Sequence, residues 1–205
     1  MKNIYILSGL GADERVFAHL DFSGFNIAFI QWISPLDHET IEHYANRLRV
    51  QIKTDNPVLI GLSFGGMMAI EIAKQIKTEK VILISSIKTQ KEVPSYYRLA
   101  GKLGLHKLVP TSLLKTPNVL TNWLFGAHTR EEKFILNNIL KETDKKYLRW
   151  AIHNIVTWTN QPKIENLKHI HGTNDSILPI RFVQADKQIN NGGHLMILNR
   201  ADEVM

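Results

Sequence analysis

The sequence predicts an α/β fold in which a mostly parallel sheet is flanked by helices and carries an inserted helical cap. Three observations predict it. Short β-branched runs alternate with helical patterns, the strand signal stops between Ser86 and Asn166, and 205 residues at 44% hydrophobic content suffice for one core. No second core-forming half is visible, so residues 1–205 are read as one domain with a helical insert at about 87–166.

Strand-like runs bounded by turn residues lie at Asn3–Leu7, Phe25–Ile30, Val58–Leu62, Lys80–Ser85, Leu167–His171 and Lys187–Ile189. Ile41, Tyr44, Ala45, Leu48 and Ile52 follow helical spacing, with Glu42, Arg47 and Arg49 on the other face, which predicts a helix covering the sheet. Residues 65–76 are apolar almost all round, through Met67, Met68, Ile70, Ile72 and Ile76, which predicts a helix buried against the sheet centre. This alternation implies right-handed crossovers and ligands at the carboxyl ends of the strands. In the insert, helical patterns surround Phe134, Ile135, Ile139 and Leu140 and run from Tyr147 through Trp158, while Pro94, Pro110, Pro117 and Pro162 break it into short pieces. A last helix is expected over Met196–Met205.

The formal charge of +6 is unevenly placed: residues 87–170 hold 14 Lys and Arg against 6 Asp and Glu, or +8, leaving −2 elsewhere. The cations fall at helical spacings without a compact cluster, which predicts solvated helical faces and no nucleic-acid site. The absence of cysteine excludes disulfides and thiolate metal sites. The chain passes from Met1-Lys2-Asn3 into a short apolar run, with no signal-peptide pattern and no membrane-length apolar segment, so a cytoplasmic protein without a membrane span is expected.

Gly61-Leu62-Ser63-Phe64-Gly65, followed by Gly66, is a G-x-S-x-G between a strand and a helix. Glycines flanking a serine at so sharp a turn remove Cβ atoms that would clash, and the helix start favours negative charge beside the hydroxyl. A serine nucleophile needs a base and an orienting acid. His194, in Asn191-Gly192-Gly193-His194 after the last strand, suits the base, and Asp175, in His171-Gly172-Thr173-Asn174-Asp175, suits the acid. Taken singly, each has an ordinary reading, as a capping serine, a loop histidine and an Asx turn. Jointly, Ser63, Asp175 and His194 occur in the order serine, acid, histidine, each after a strand. Backbone N–H donors to an oxyanion are expected from Phe64 and from the Ser8-Gly9-Leu10-Gly11 loop, at Leu10. The same loop read as a dinucleotide turn is incomplete, with Glu14 where a third glycine is needed.

Through GLSFGG (61–66), HGTND (171–175) and GGH (192–194) the sequence resembles the α/β-hydrolase superfamily over nearly its whole length outside the insert. The resemblance implies a nucleophile that works without metal or organic cofactor, and a small-molecule acyl substrate, ester or thioester. Lactone, C–C, haloperoxidase or hydroxynitrile chemistry, and a catalytically slow ligand-binding module, use the same fold. Trp123, Leu124, Phe125, Trp150 and Trp158 could wall an acyl pocket, and the basic insert suits an anionic substrate such as a CoA thioester. Three departures accompany the resemblance. Ser8-Gly9 stands where members often carry His-Gly, the chain begins at what resembles their third strand, so the leading strands are lacking, and it ends within what looks like the last helix.

Overall fold

In the computed structural model, which describes residues 1–161 and 164–205, six strands form one sheet. Along the chain come β1 (Lys2–Leu7), β2 (Phe25–Phe29), α1 (Ile41–Leu48), β3 (Val58–Leu62), α2 (Phe64–Ala73) and β4 (Lys80–Ile84). Five helices follow, α3 (Ser95–Lys102), α4 (Thr111–Leu114), α5 (Val119–Phe125), α6 (Arg130–Glu142) and α7 (Lys145–Thr157). The chain then returns through β5 (Leu167–Gly172), β6 (Lys187–Ile189), α8 (Met196–Asn199) and α9 (Ala201–Val204). The strands match the runs read from the sequence, with ends displaced by at most one residue.

The strand order is β2-β1-β3-β4-β5-β6 and every pairing is parallel. The chain moves outward from β1 to β2, returns past β1 to β3 and then proceeds in the opposite direction. A crevice therefore opens at the carboxyl ends of β1 and β3, the switch point at which doubly wound sheets hold ligands.

Every residue of β3 is buried, as its unbroken VLIGL run requires of a strand covered on both faces. Tyr5 and Leu7 join Leu59 and Leu83 in packing under α1 and α2, against Tyr44, Leu48, Met68 and Ile72. The alternate residues Ile4, Ile6, Ile60 and Leu62 pack on the other face with Val16, Phe17, Met196 and Ile197 and with Leu136 and Ile139 of α6. Residues Phe64–Ile72 of α2 are all buried, including Glu71.

Two expected helices differ. The stripe reaching Ile52 does not stay α-helical: α1 ends at Leu48, residues Arg49–Gln51 tighten into a 3-10 turn, and Ile52 is extended at φ −84°, ψ 116°. The single helix expected over Met196–Met205 is two one-turn helices broken at Arg200, at φ −135°, ψ 32°. Pro94 and Pro110 sit at the N-caps of α3 and α4, where a missing N–H is tolerated, and Pro162 lies outside the described residues. Arg98, Lys102, Lys107, Lys145, Lys146 and Arg149 of the insert are exposed. Among the described residues no helix is long and apolar enough to cross a membrane.

Candidate active site

Ser63 stands between β3 and α2 at φ 52°, ψ −119°, a region closed to most side chains. The peptide is held there from both sides. Its N–H donates to the Ile84 carbonyl at 2.9 Å, while its carbonyl accepts from the Gly66 N–H at 2.9 Å and the Ser86 hydroxyl at 2.6 Å. The glycines are needed by contact: a Cβ on Gly61 would meet the backbone of Gly65 and Gly66, and one on Gly65 would meet the Leu7 and Ser8 carbonyls.

The loop after β1 closes over this turn. Ser8 donates to the Ala12 carbonyl at 2.5 Å and accepts from the Trp32 indole N–H at 3.0 Å, and a Cβ built on Gly9 would lie 3.6 Å from Ser63 Cβ. Leu10 is half-buried against the cluster that contains Phe64. Phe64 is the first residue of α2, so its N–H has no carbonyl within the helix to serve.

Asp175 and His194 arrive from the neighbouring strand ends. The loops after β5 and β6 are tied by Thr173 N–H to the Ile189 carbonyl at 3.0 Å and Asn174 N–H to the Gly192 carbonyl at 2.9 Å. Across that junction His194 Nδ1 lies 2.7 Å from Asp175 Oδ2, and His194 Nε2 lies 2.9 Å from Ser63 Oγ. A carboxylate only accepts, so Nδ1 carries the hydrogen and Nε2 is free to accept from the serine. The second Asp175 oxygen accepts the Ile177 and Leu178 N–H groups at 2.9 and 2.8 Å. Asp175 and His194 are 3% and 2% exposed, so little water competes for these bonds.

The insert contributes Phe125, whose ring meets that of His194 edge-on at 5.6 Å and whose carbonyl accepts the Leu195 N–H at 3.0 Å. The other aromatic residues named from the sequence separate by environment. Trp150 packs on Tyr44 at 4.2 Å and donates to the Glu39 carbonyl at 2.7 Å, whereas Trp123 is largely exposed. Trp158 is buried, donates to Glu71 Oε1 at 2.8 Å and so anchors the end of α7 to α2, with Lys74 pairing the other carboxylate oxygen. A cavity of about 960 Å³ between residues 35–42 and α7 has Trp150 in its wall but none of Ser63, Asp175 or His194.

Sequence reasoning passed over Trp32 and Ser86, which reach the site through the fold alone. It also left His169 and His171 as part of a strand, although their spacing places both on one face of β5. Both are fully buried, and burial pushes His169 down to about 3, with His171 and Lys88 adding to the effect. Burial likewise lowers His171, against the charge of Asp175. Tyr97 is pushed up to about 12 by burial, then by Tyr96 and Asp175.

A parallel sheet with its switch point at β1 and β3, a strained serine between β3 and α2, and the acid and histidine after later strands decide the architecture. The chain has the α/β-hydrolase fold. Solved structures of this fold superpose over almost all of it. A bromoperoxidase from Bacillus anthracis is 16% identical with a TM-score of 0.71, covering 98% of this chain and 88% of the other. An esterase from Thermogutta terrifontis is 18% identical with a TM-score of 0.65, covering 100% and 86%. A meta-cleavage product hydrolase from Pseudomonas fluorescens is 13% identical with a TM-score of 0.68, covering 98% and 87%. No protein-family model and no curated protein sequence matches the chain. Within the α/β-hydrolase fold, the five helices between β4 and β5 occupy the place of the insert.

Proposed function

We propose that the chain is a serine hydrolase that cleaves an ester or thioester of a small acyl substrate through an acyl-enzyme intermediate. The reading rests on the continuous hydrogen-bond chain from Ser63 Oγ through His194 to Asp175 at the strand ends. An esterase of the same fold, with a TM-score of 0.65, supports it. In this reading Ser63 is the nucleophile, His194 the general base and Asp175 the acid that fixes the imidazole's tautomer. As Oγ bonds to the acyl carbon, its proton passes to His194 Nε2, and the carbonyl oxygen takes the negative charge opposite the Leu10 and Phe64 N–H groups. Collapse expels the alcohol or thiol, which recovers the proton from His194. Water then repeats the sequence and frees the acid and Ser63. Neither metal nor organic cofactor is required for these steps. We propose further that residues 1–205 form one domain, that α3–α7 act as a cap whose Phe125 holds His194 in place, and that the enzyme works in the cytoplasm.

A fluorophosphonate should label the wild type and not Ser63→Ala, and p-nitrophenyl esters of increasing acyl length should be turned over by the wild type alone. Ser63→Ala or His194→Ala should lower kcat by about 10⁴-fold or more, and Asp175→Asn nearly as much, with unchanged circular dichroism. A loss below about tenfold at Ser63 sinks the mechanism.

A further inference from the structure

Asp175 has a neighbour that the proposed reaction does not use. The oxygen that accepts from His194 also lies 3.4 Å from His171 Nε2, which in turn lies 2.8 Å from the Leu178 carbonyl. On the same face of β5 His169 Nε2 lies 3.3 Å from His171 Nδ1, with the rings at 89° and 5.2 Å apart. Resting on the serine-hydrolase reading above, we propose that His171, with His169, is a positioning residue for Asp175: a buried imidazole pair locked in one neutral tautomer that aims the carboxylate at His194.

The tautomer follows from the partners. A carbonyl only accepts, so the hydrogen of the Leu178 contact sits on His171 Nε2. Burial favours the neutral ring, and in that form His171 Nδ1 is a bare acceptor, so His169 Nε2 carries the hydrogen between the two rings. His169 Nδ1 must then be bare, and that nitrogen is buried without a hydrogen-bond partner among the described residues. One protonation pattern therefore accounts for all four nitrogens.

The groups facing the pair decide that it stays neutral. Burial acts first on His171; Asp175 and the Leu178 carbonyl favour its charged form and His194 opposes it. At His169, burial, His171 and Lys88 outweigh the Ser86 carbonyl, and Asp186 is occupied with the His169 backbone N–H at 2.8 Å. Two consequences follow for the site. A neutral His171 spends its one N–H on the Leu178 carbonyl and sets no second cation beside Asp175, leaving the carboxylate's charge to His194. By holding the Leu178 carbonyl, His171 also fixes the turn whose Ile177 and Leu178 N–H groups grip the other oxygen.

The test compares His171→Leu with His171→Gln, whose amide nitrogen can take the place of Nε2 as a donor. His171→Leu should lower kcat by about 10- to 100-fold with KM within about twofold, since the binding surface is untouched. The acid limb of kcat/KM should move up by about half a pH unit, because a carboxylate whose Ile177 and Leu178 N–H donors are loosened with the turn holds an imidazolium more tightly. His171→Gln should restore most of kcat and return the limb. Equal impairment in both variants with an unmoved limb would mean a packing role and overturn the proposal. Imidazole ¹⁵N spectra of the wild type provide a reading independent of folding in the variants and of turnover. His169 and His171 should each show a neutral ring with the hydrogen on Nε2 from about pH 8 to about pH 5. A hydrogen on His171 Nδ1, or titration of either ring in that range, overturns the proposal. Loss of fluorophosphonate labelling in the wild type would instead sink the hydrolase reading and leave the spectra to decide this one.

Discussion

Replacing Ser63 by glycine should make the protein more stable than replacing it by alanine. Ser63 is held at φ 52°, ψ −119° by the Ile84 carbonyl and by two donors on its own carbonyl, so the strain cannot relax while the elbow is folded. Such a conformation costs a non-glycine residue about 1–3 kcal/mol. Glycine removes that cost but loses about 0.5–1 kcal/mol more backbone entropy on folding. The difference is a net gain of about 1 kcal/mol for Ser63→Gly over Ser63→Ala, or about 2–4 °C in Tm for a chain of this size. Alanine is the proper reference because both variants lose the hydroxyl and its bond to His194. Urea unfolding and calorimetry of the pair measure the difference, and an unchanged m-value confirms that the denatured states match. A glycine variant no more stable than the alanine variant would refute the assignment of strain to this residue.

Gly65→Ala should destabilise by about 3 kcal/mol or prevent folding, because the new Cβ meets the Leu7 and Ser8 carbonyls, backbone that cannot yield. Gly24→Ala is the control: its φ of 84° strains an alanine but the new Cβ meets nothing within 4 Å, so a loss at the helical Gly65 no larger than at Gly24 would contradict the contact argument. Acid should weaken the fold through the buried histidine pair. An unfolded His169 takes up a proton near 6.5 and the folded one only near 3, so stability falls as pH drops through that window. The slope is about 1.4 kcal/mol per pH unit for each such histidine. His169→Gln should flatten the slope by that amount in urea titrations between about pH 6 and about pH 4, and an unchanged slope would contradict its neutrality in the folded state.

Much of the fold was legible because its signals are local. Unbroken apolar runs such as Val58–Leu62 mark strands covered on both faces, and the apolar circumference of residues 65–76 marks a helix against the sheet centre. Ser63, Asp175 and His194 stood out because each follows a strand, and in a parallel sheet all strand ends share one edge. The bond of Trp158 to Glu71 was hidden because an aromatic side chain looks the same whether or not it answers a buried carboxylate, and Glu71 lies 87 positions away.

The sequence by itself determined the strands, the elbow and the candidate trio, since those depend on backbone periodicity and turn chemistry written within a few residues. Only the tertiary structure decided which polar atoms face one another. The clasp of Ser86 on the Ser63 carbonyl, the Trp32 bond to Ser8 and the contact of His169 and His171 beside Asp175 all depend on which loops the folded sheet brings within 3.5 Å. Hydrogen bonds of that length are set by packing across the core, and no spacing along the chain encodes them.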